Sequence, residues 1–480
     1  MSLQFIFGNS GSGKSHYLYQ QIVEESIRHP EKNYLVLVPE QFTMQTQKDL
    51  CMAHPRGGIM NIDVLSFGRL AHRVFEETGK ERQPILDDEG KNLVLRKIAG
   101  NYEDELTVLK GNLKKQGYIS EVKSVISEFT QYGIDFEQLD SFMEGLNPES
   151  YLYYKLKDIR KVYEGFEDYL RDKYITKEEL LDVLSQNVAE AKMLKDSVIA
   201  MDGFTGFTPV QNRLIGELLK VCDKIMLTVE IDRREDPFIY KHPYQLFALS
   251  KQMVTSLTEV AQEVKVEIDE PVWLCKNPPY RFKENPEMAF LEEELFRYSR
   301  RKYSGEKMQS ISLHEVHTPQ EEAQYVAEEI RRLVREEGYR YREIAVIASD
   351  RNTYADSLEK ACERYEIPVF MDHKKSILLN SFVEYLRSLL VMVEQNYTYE
   401  SVFRYLRTGL CGFTRDEVDR LENYCLALDL KGFKKWDQVW VRKTPMTKKE
   451  ELEELNQLRV RFVEKLTPLH TVLKKRRKTV

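Results

Sequence analysis

Gly8-Asn9-Ser10-Gly11-Ser12-Gly13-Lys14-Ser15 fits the pattern G-x-x-x-x-G-K-[ST] at every constrained position. Glycines let a backbone wrap closely around a phosphate chain with its N–H groups turned inward. In this pattern the lysine, here Lys14, reaches the β- and γ-phosphates, and the hydroxyl, here Ser15, ligates Mg²⁺. The flanks agree with that reading. Leu3-Gln4-Phe5-Ile6-Phe7 reads as a short buried strand, and Ser15 to about Arg28 as a helix with Leu18, Ile22 and Ser26 on one face. The phosphates would then sit on a helix N-terminus. An ordinary glycine-rich turn would need neither flank, so residues 8–15 are read as a nucleotide site.

Outward from the loop, strand and helix alternate at short intervals. His29-Pro30 ends the first helix, and Tyr34-Leu35-Val36-Leu37-Val38 follows as a continuous apolar strand of the kind covered on both faces in a parallel sheet. It stops at Pro39-Glu40-Gln41-Phe42-Thr43, a polar turn at the carboxyl end of a strand, where ligand-contacting loops of open α/β sheets sit. A third unit is Ile62-Asp63-Val64-Leu65 followed by a helix opening at Ser66-Phe67-Gly68-Arg69. A parallel sheet with right-handed crossovers is expected.

The sheet signal stops near Pro84 and resumes near Ser197. Between them the pattern is helical, with Leu152, Leu156, Ile159, Tyr163, Phe166 and Leu170 along one helix face. That face could serve a coiled-coil partner, although packing within a helical insertion is the commoner arrangement. Ser197-Val198-Ile199-Ala200-Met201-Asp202 is the next strand, ending in an acid that can hold Mg²⁺ in P-loop enzymes. Hydrolysing members usually carry Glu next, and here the residue is Gly203. Residues 224–232 read as a further strand and 237–247 as an aromatic loop.

A second α/β block begins near Gln309. Strands are expected at Ile311 to Leu313, at Ile344-Ala345-Val346-Ile347-Ala348 and at Ile367-Pro368-Val369-Phe370. Helices fall between them, one carrying Ala323, Val326, Ala327, Ile330, Leu333 and Val334 and ending at Gly338, the other over 354–365. This block has no P-loop, so the pair suggests a nucleotide held between two domains. From about Phe382 the chain is helical and more charged, ending in Lys474-Lys475-Arg476-Arg477-Lys478, a solvated helix end or a phosphate contact. No cap signal closes that last helix, so the chain reads as cut rather than finished.

Composition bounds the function classes. With 42% hydrophobic and 31% charged residues over 480 positions, a globular chain of several domains is expected. The net charge of −7 excludes a uniformly basic nucleic-acid binder, while 71 Lys and Arg leave ample charge for a local basic groove. No apolar run has the length of a membrane span and no signal-peptide pattern opens the chain. Cys51, Cys222, Cys275, Cys362, Cys411 and Cys425 lack metal-cluster spacing, and free thiols in a reducing cytoplasm are expected.

Several runs together resemble the AddB family, whose members are one of the two chains of the bacterial AddAB helicase–nucleases. They are the P-loop, Val38-Pro39-Glu40-Gln41, Val64-Leu65-Ser66-Phe67-Gly68-Arg69-Leu70 and Asp202-Gly203-Phe204-Thr205-Gly206-Phe207-Thr208-Pro209. Further along come Ile367-Pro368-Val369-Phe370-Met371-Asp372, Tyr405-Leu406-Arg407-Thr408-Gly409-Leu410 and Leu421-Glu422-Asn423-Tyr424. The resemblance implies an α/β, P-loop (RecA-like), superfamily 1 helicase-like architecture with two α/β domains and helical insertions. Its divisions would be 1–84 with 195–280 for the first RecA-like domain, 85–194 for an insertion, 281–380 for part of the second domain and 381–480 for a second insertion. Family members continue well beyond this length into a RecB-type nuclease, with its own Mg²⁺, and a [4Fe-4S] cluster bound by cysteines. Neither region is in this sequence, none of its six cysteines is assigned to the cluster, and no nuclease activity is expected of these residues.

Departures from the active-helicase pattern carry information. The second motif of superfamily 1 reads D-E-x-Q-D with a further Gln nine residues after the first Asp. Asp202 and Gln211 keep that spacing, while Gly203, Thr205 and Gly206 replace Glu, Gln and Asp. Seven residues before the P-loop leave little room for an adenine-reading Gln, and Arg351 falls slightly late for the arginine that touches the γ-phosphate. Loss of such an arginine costs about 10³–10⁵ in turnover. The resemblance therefore implies Mg-ATP held by residues 8–15 with Ser15 and Asp202 as Mg²⁺ ligands, little hydrolysis, and a cytoplasmic heterodimer with an AddA-like motor subunit. The substrate would be double-stranded DNA ends processed for homologous recombination, with the AddB chain scanning single-stranded DNA for Chi. Phe42, Phe67, Arg69 and Phe207 are DNA-contact candidates by position, and core or interdomain packing accounts for them equally. Two other readings predict different behaviour. An autonomous superfamily 1 helicase would show strong DNA-stimulated turnover by this chain alone, and a small-molecule P-loop kinase would be shorter and would not need the second α/β block.

Overall fold

The computed structural model describes residues 1–79, 84–113, 115–171, 173–305, 308–371, 377–443 and 449–476. It divides into two compact units, Met1–Leu313 and His314–Val480.

The first unit is built on a parallel sheet. Strand β1 (Ser2–Gly8) leads through the P-loop into α1 (Lys14–Arg28), followed by β2 (Tyr34–Leu37), α2 (Thr43–Ala53), β3 (Ile62–Leu65) and α3 (Phe67–Thr78). The Ser66 hydroxyl caps α3 by accepting from Arg69 N–H. A short strand β4 (Ile85–Leu86) then opens a helical insertion of α4 (Asp88–Asn101), α5 (Gln116–Tyr132), α6 (Phe136–Glu144) and α7 (Tyr151–Leu170), which β5 (Ile175–Thr176) closes by pairing in parallel with β4. The sheet resumes through α8 (Leu180–Asn187), β6 (Val198–Met201), α9 (Pro209–Leu219), β7 (Lys224–Glu230), α10 (Ala248–Glu263), β8 (Glu267–Ile268) and β9 (Val272–Trp273), and α11 (Pro286–Glu294) follows. Strand order is β3-β2-β6-β7-β1, with β8 and β9 pairing at opposite ends of the β1 edge.

Alternation along β1 explains why both faces are covered. Leu3, Phe5 and Phe7 enter one core with residues of α3, α8, α9 and α10, whereas Ile6 enters the other with Leu18, Ile22 and Val23 of α1 and Leu50 of α2. Helix α8 belongs to the sheet's core, to which it gives Leu180 and Leu184. The insertion has its own core, including Leu95, Ile98, Ile126, Ile159, Val162 and Phe166. Two buried polar devices tie it together. Lys91 on α4 pairs with Glu178 at 2.6 Å, and the buried Asp158 carboxylate on α7 accepts from the backbone N–H groups of Thr107, Val108 and Leu109 at 2.6–3.0 Å. Of the apolar face on α7, Ile159, Tyr163, Phe166 and Leu170 are buried, but Leu152 is exposed.

The second unit contains α12 (Pro319–Glu336), α13 (Arg351–Arg364), α14 (Ser381–Glu394), α15 (Tyr399–Leu406), α16 (Arg415–Leu428), α17 (Phe433–Asp437) and α18 (Lys449–Arg476). Ala323, Ala327 and Ile330 of α12 pack with Ala361 and Cys362 of α13. Helices α14 to α18 enclose a second cluster around Trp436, Tyr397 and Phe462. The strands expected at Ile311 to Leu313, Ile344 to Ala348 and Ile367 to Phe370 are corrected here: these segments form no ladder. An apolar run becomes a strand only when a neighbour satisfies its backbone, and the described residues supply none, leaving Leu313, Ile347 and Phe370 almost fully exposed. Asp372 and the terminal Arg477 and Lys478 lie outside the described residues, as do the side chains of Lys474, Lys475 and Arg476. The six cysteines are free, and Cys222, Cys362, Cys411 and Cys425 are buried. No helix among the described residues is long and apolar enough to cross a membrane.

Candidate nucleotide-binding site

The loops that follow β1, β2, β3 and β6 lie at the carboxyl ends of parallel strands, which brings the P-loop and Asp202 to one end of the sheet. The loop is wound tightly. A Cβ at Gly8 would lie 2.4 Å from Ser12 Oγ, and Gly13 takes φ +92°, which a side chain would strain. Helix α1 starts at Lys14, so the N–H groups of its first turn lack intrahelical acceptors and create a region of positive potential. Lys14 Nζ folds back onto Asn9 O at 2.9 Å. Burial lowers the Lys14 pKa, against the opposing pull of the Glu230 and Asp202 carboxylates. Asn9 Oδ1 and Ser12 Oγ are buried without a hydrogen-bond partner. A cavity of about 450 Å³ opens beside the loop, lined by Gly11, Gly13, Lys14, Ser15, Tyr19 and Arg281 among others. A wound loop, unsatisfied polar atoms and a cationic lining fit a polyphosphate, and the hard oxygens of Ser15 and Asp202 fit Mg²⁺.

Asp202 is buried at the end of β6, and both its oxygens are engaged. Thr228 on β7 donates to Oδ1 at 2.5 Å, and Tyr19 on α1 donates to Oδ2 at 2.7 Å. Burial first, then the Asp202 charge, pushes the Tyr19 phenol well above its usual range, so the hydroxyl keeps its proton. Gly203 has φ +77°, and a Cβ there would point at Pro39 and the Phe42 ring, 3.7 and 3.8 Å away. Gln211 has a structural use: it forms a reciprocal cap with Thr208 at the start of α9.

The segment before α11, and α11 itself, pack on the loop from outside. Arg281 N donates to Gly11 O at 3.0 Å, Phe282 lies against Gly11, and Glu292 accepts from Asn9 Nδ2 at 3.0 Å. Burial raises the Glu292 pKa, partly offset by that hydrogen bond. Sequence reading missed Tyr19, Thr228, Arg281 and Glu292. The signal for Tyr19 was its place one helical turn beyond Ser15, and that for Thr228 was a hydroxyl inside an apolar strand. Arg281 and Glu292, about 270 and 283 positions from the loop residues they meet, gave no local signal.

The DNA-contact candidates separate. Phe42 is half exposed on the turn after β2, and Arg69 is exposed on α3. Phe207 is half-buried, and Phe67 is buried against Phe204 and Phe207 with centroids 5.4 and 6.2 Å away. Phe67 is therefore a core residue, and its ring is not open to a base. Arg351 opens α13 in the second unit, following the cap residue Asp350.

A strand–P-loop–helix in a parallel sheet, with a strand-end aspartate beside it, defines a P-loop helicase-like fold. Residues 5–292 match the family model described as ADDB, N-terminal, and residues 283–473 match the UvrD-like helicase C-terminal domain. The chain belongs to the AddB family. Over its full length it is 40% identical to the AddB chain of the ATP-dependent helicase/deoxyribonuclease of Lachnoclostridium phytofermentans, covering 42% of that protein. It is 34% identical to the protein of the same name from Clostridium perfringens strain SM101, over 96% of this chain and 40% of the relative. The Acetivibrio thermocellus protein of that name is 32% identical over the whole chain and 42% of its own length. The chain thus spans about two-fifths of the length of these curated relatives.

Proposed function

We propose that this chain serves in a heterodimeric, cytoplasmic ATP-dependent helicase/exonuclease that processes double-strand DNA ends for recombination, with an AddA-like chain as motor. Its own part is a degenerate helicase scaffold that binds Mg-ATP and holds passing single-stranded DNA while the Chi sequence is read. The carrying observation is the pairing of an intact P-loop with Gly203 at positive φ beside an Asp202 that accepts one hydroxyl on each oxygen. Binding groups are present, but the position that would carry a water-activating carboxylate holds no side chain. Lys14 and Arg281 would neutralise phosphate charge, the first-turn N–H groups of α1 would donate to phosphate oxygens, and Ser15 with Asp202 would hold Mg²⁺. A Mg²⁺ ion held by Ser15 and Asp202 would supply positive charge that offsets the phosphates. The exposed ring of Phe42 offers a stacking surface, and Arg69 a phosphate contact.

The test pairs Mg-ATP calorimetry with phosphate release on single-stranded DNA, for this chain and Lys14→Ala. Binding that Lys14→Ala abolishes, with turnover at background, is expected. Brisk DNA-stimulated turnover would overturn the scaffold reading in favour of an autonomous helicase. Absence of binding would remove ATP from the proposal.

A further inference from the structure

Helix α1 presents Ser15 and Tyr19 one turn apart on the same face. The first carries the hydroxyl of the P-loop pattern, and the second reaches across to a different strand, 183 residues later, to donate to Asp202 Oδ2 at 2.7 Å. Tyr19 is itself steadied from α2, where buried Thr46 places its hydroxyl 3.3 Å from the phenol. Thr228 fixes the other carboxylate oxygen from β7 at 2.5 Å. Two donors on opposite oxygens fix both the rotation and the plane of the carboxylate. Each oxygen keeps a lone pair beyond the one its hydroxyl occupies.

We propose that Tyr19 is a positioning residue for the metal half of the nucleotide site, tying Asp202 to the helix that carries Ser15 so that the two Mg²⁺ ligands are held in register. This rests on the nucleotide-site reading above. Outer partners that orient a ligating carboxylate typically account for about 10–100-fold in metal affinity. Without the phenol hydroxyl, Asp202 retains one donor and is free to turn about it. The phenol hydroxyl hydrogen-bonds to Asp202 and Thr46, not to Lys14 or the loop N–H groups of the phosphate-binding half, although Tyr19 lines the same cavity. The consequence is a split: Tyr19 governs how much Mg²⁺ strengthens ATP binding and leaves metal-free ATP binding alone.

The experiment measures ATP affinity by calorimetry in excess Mg²⁺ and in EDTA for the full chain, Tyr19→Phe and Thr228→Val, with a thermal melt of each to confirm folding. The expected result is a loss of about tenfold or more in the Mg²⁺ arm for Tyr19→Phe, with the EDTA arm within about twofold of wild type. Thr228→Val, which removes the other hydroxyl, is expected to lose in the same arm. An unchanged Mg²⁺ gain in folded Tyr19→Phe, or equal losses in both arms, would overturn the proposal. A wild-type chain that binds ATP in neither arm would instead refute the nucleotide site, and the positioning role with it.

Discussion

Replacing Gly203 tests whether the backbone at this position, rather than the space around it, is what disfavours a side chain. At φ +77° an L-residue costs about 1–2 kcal/mol relative to glycine. The space itself is permissive, since a Cβ would meet Pro39 and Phe42 only at ordinary contact distances of 3.7 and 3.8 Å. The penalty therefore comes from the backbone and is the same for any Cβ. Gly203→Ala and Gly203→Glu should each lower stability by about 1–2 kcal/mol and agree to within about 0.5 kcal/mol, because the residue is exposed. For a unit of this size that is roughly 1.5–3 °C in a melting experiment, followed by circular dichroism together with tryptophan fluorescence, to which Trp273 of this unit contributes. The Glu side chain would leave the backbone towards the turn after β2, and Asp202 would stay engaged by Tyr19 and Thr228. Phosphate release by Gly203→Glu should stay at background. A melting temperature unchanged in Gly203→Ala, or DNA-stimulated turnover appearing in Gly203→Glu, would refute this reasoning.

The helical insertion offers two further tests. Burial, reinforced by the neighbouring Glu179 charge, pushes the Glu167 carboxyl up to about 7. The folded state therefore binds its proton more tightly than the unfolded chain, and the stability linked to it is present below about pH 4.5 and lost as pH rises through about 7. Glu167→Gln should raise the urea midpoint at about pH 8, by up to about 3 kcal/mol in free energy, and change little at about pH 4.5; a variant equally or less stable at the higher pH would contradict this. Asp158→Ala should cost at least about 2–4 kcal/mol, because three backbone N–H groups at Thr107, Val108 and Leu109 lose their acceptor, and amide exchange at those positions should accelerate before that of β1. Unaltered protection at Leu109 would show that another acceptor takes over.

The legible parts of the fold were those in which side-chain pattern and backbone pairing agree. Every sheet residue of β2 is buried, and Tyr34 to Leu37 could be read directly because a strand covered on both faces has no polar alternation to confuse. The same signal misled in the second unit. Ile344-Ala345-Val346-Ile347-Ala348 carries the composition of a buried strand, yet pairing depends on a neighbour that local sequence does not contain, and among the described residues there is none. The two-residue ladder of β4 and β5 shows the opposite failure, being too short for any periodicity to register although it closes the insertion.

The site divides along the same physical line. Lys14, Ser15 and the glycines were legible because one contiguous loop must make a single shape, so spacing along the chain encodes geometry. Asp202 was legible because a strand end places an acid at the ligand edge of a parallel sheet. What spacing could not encode is the state of that acid. Its two oxygens are taken by hydroxyls from α1 and β7, and only the register of β6 beside β7 and the reach of a tyrosine across the sheet bring them there. An aspartate held in this way is already stabilised by donors and oriented without a metal. The neighbouring glycine, at a φ that side chains avoid, carries no carboxylate itself. The two features are neighbours in the chain but face different partners: Asp202 meets Tyr19 and Thr228, whereas a Cβ at position 203 would face Pro39 and Phe42.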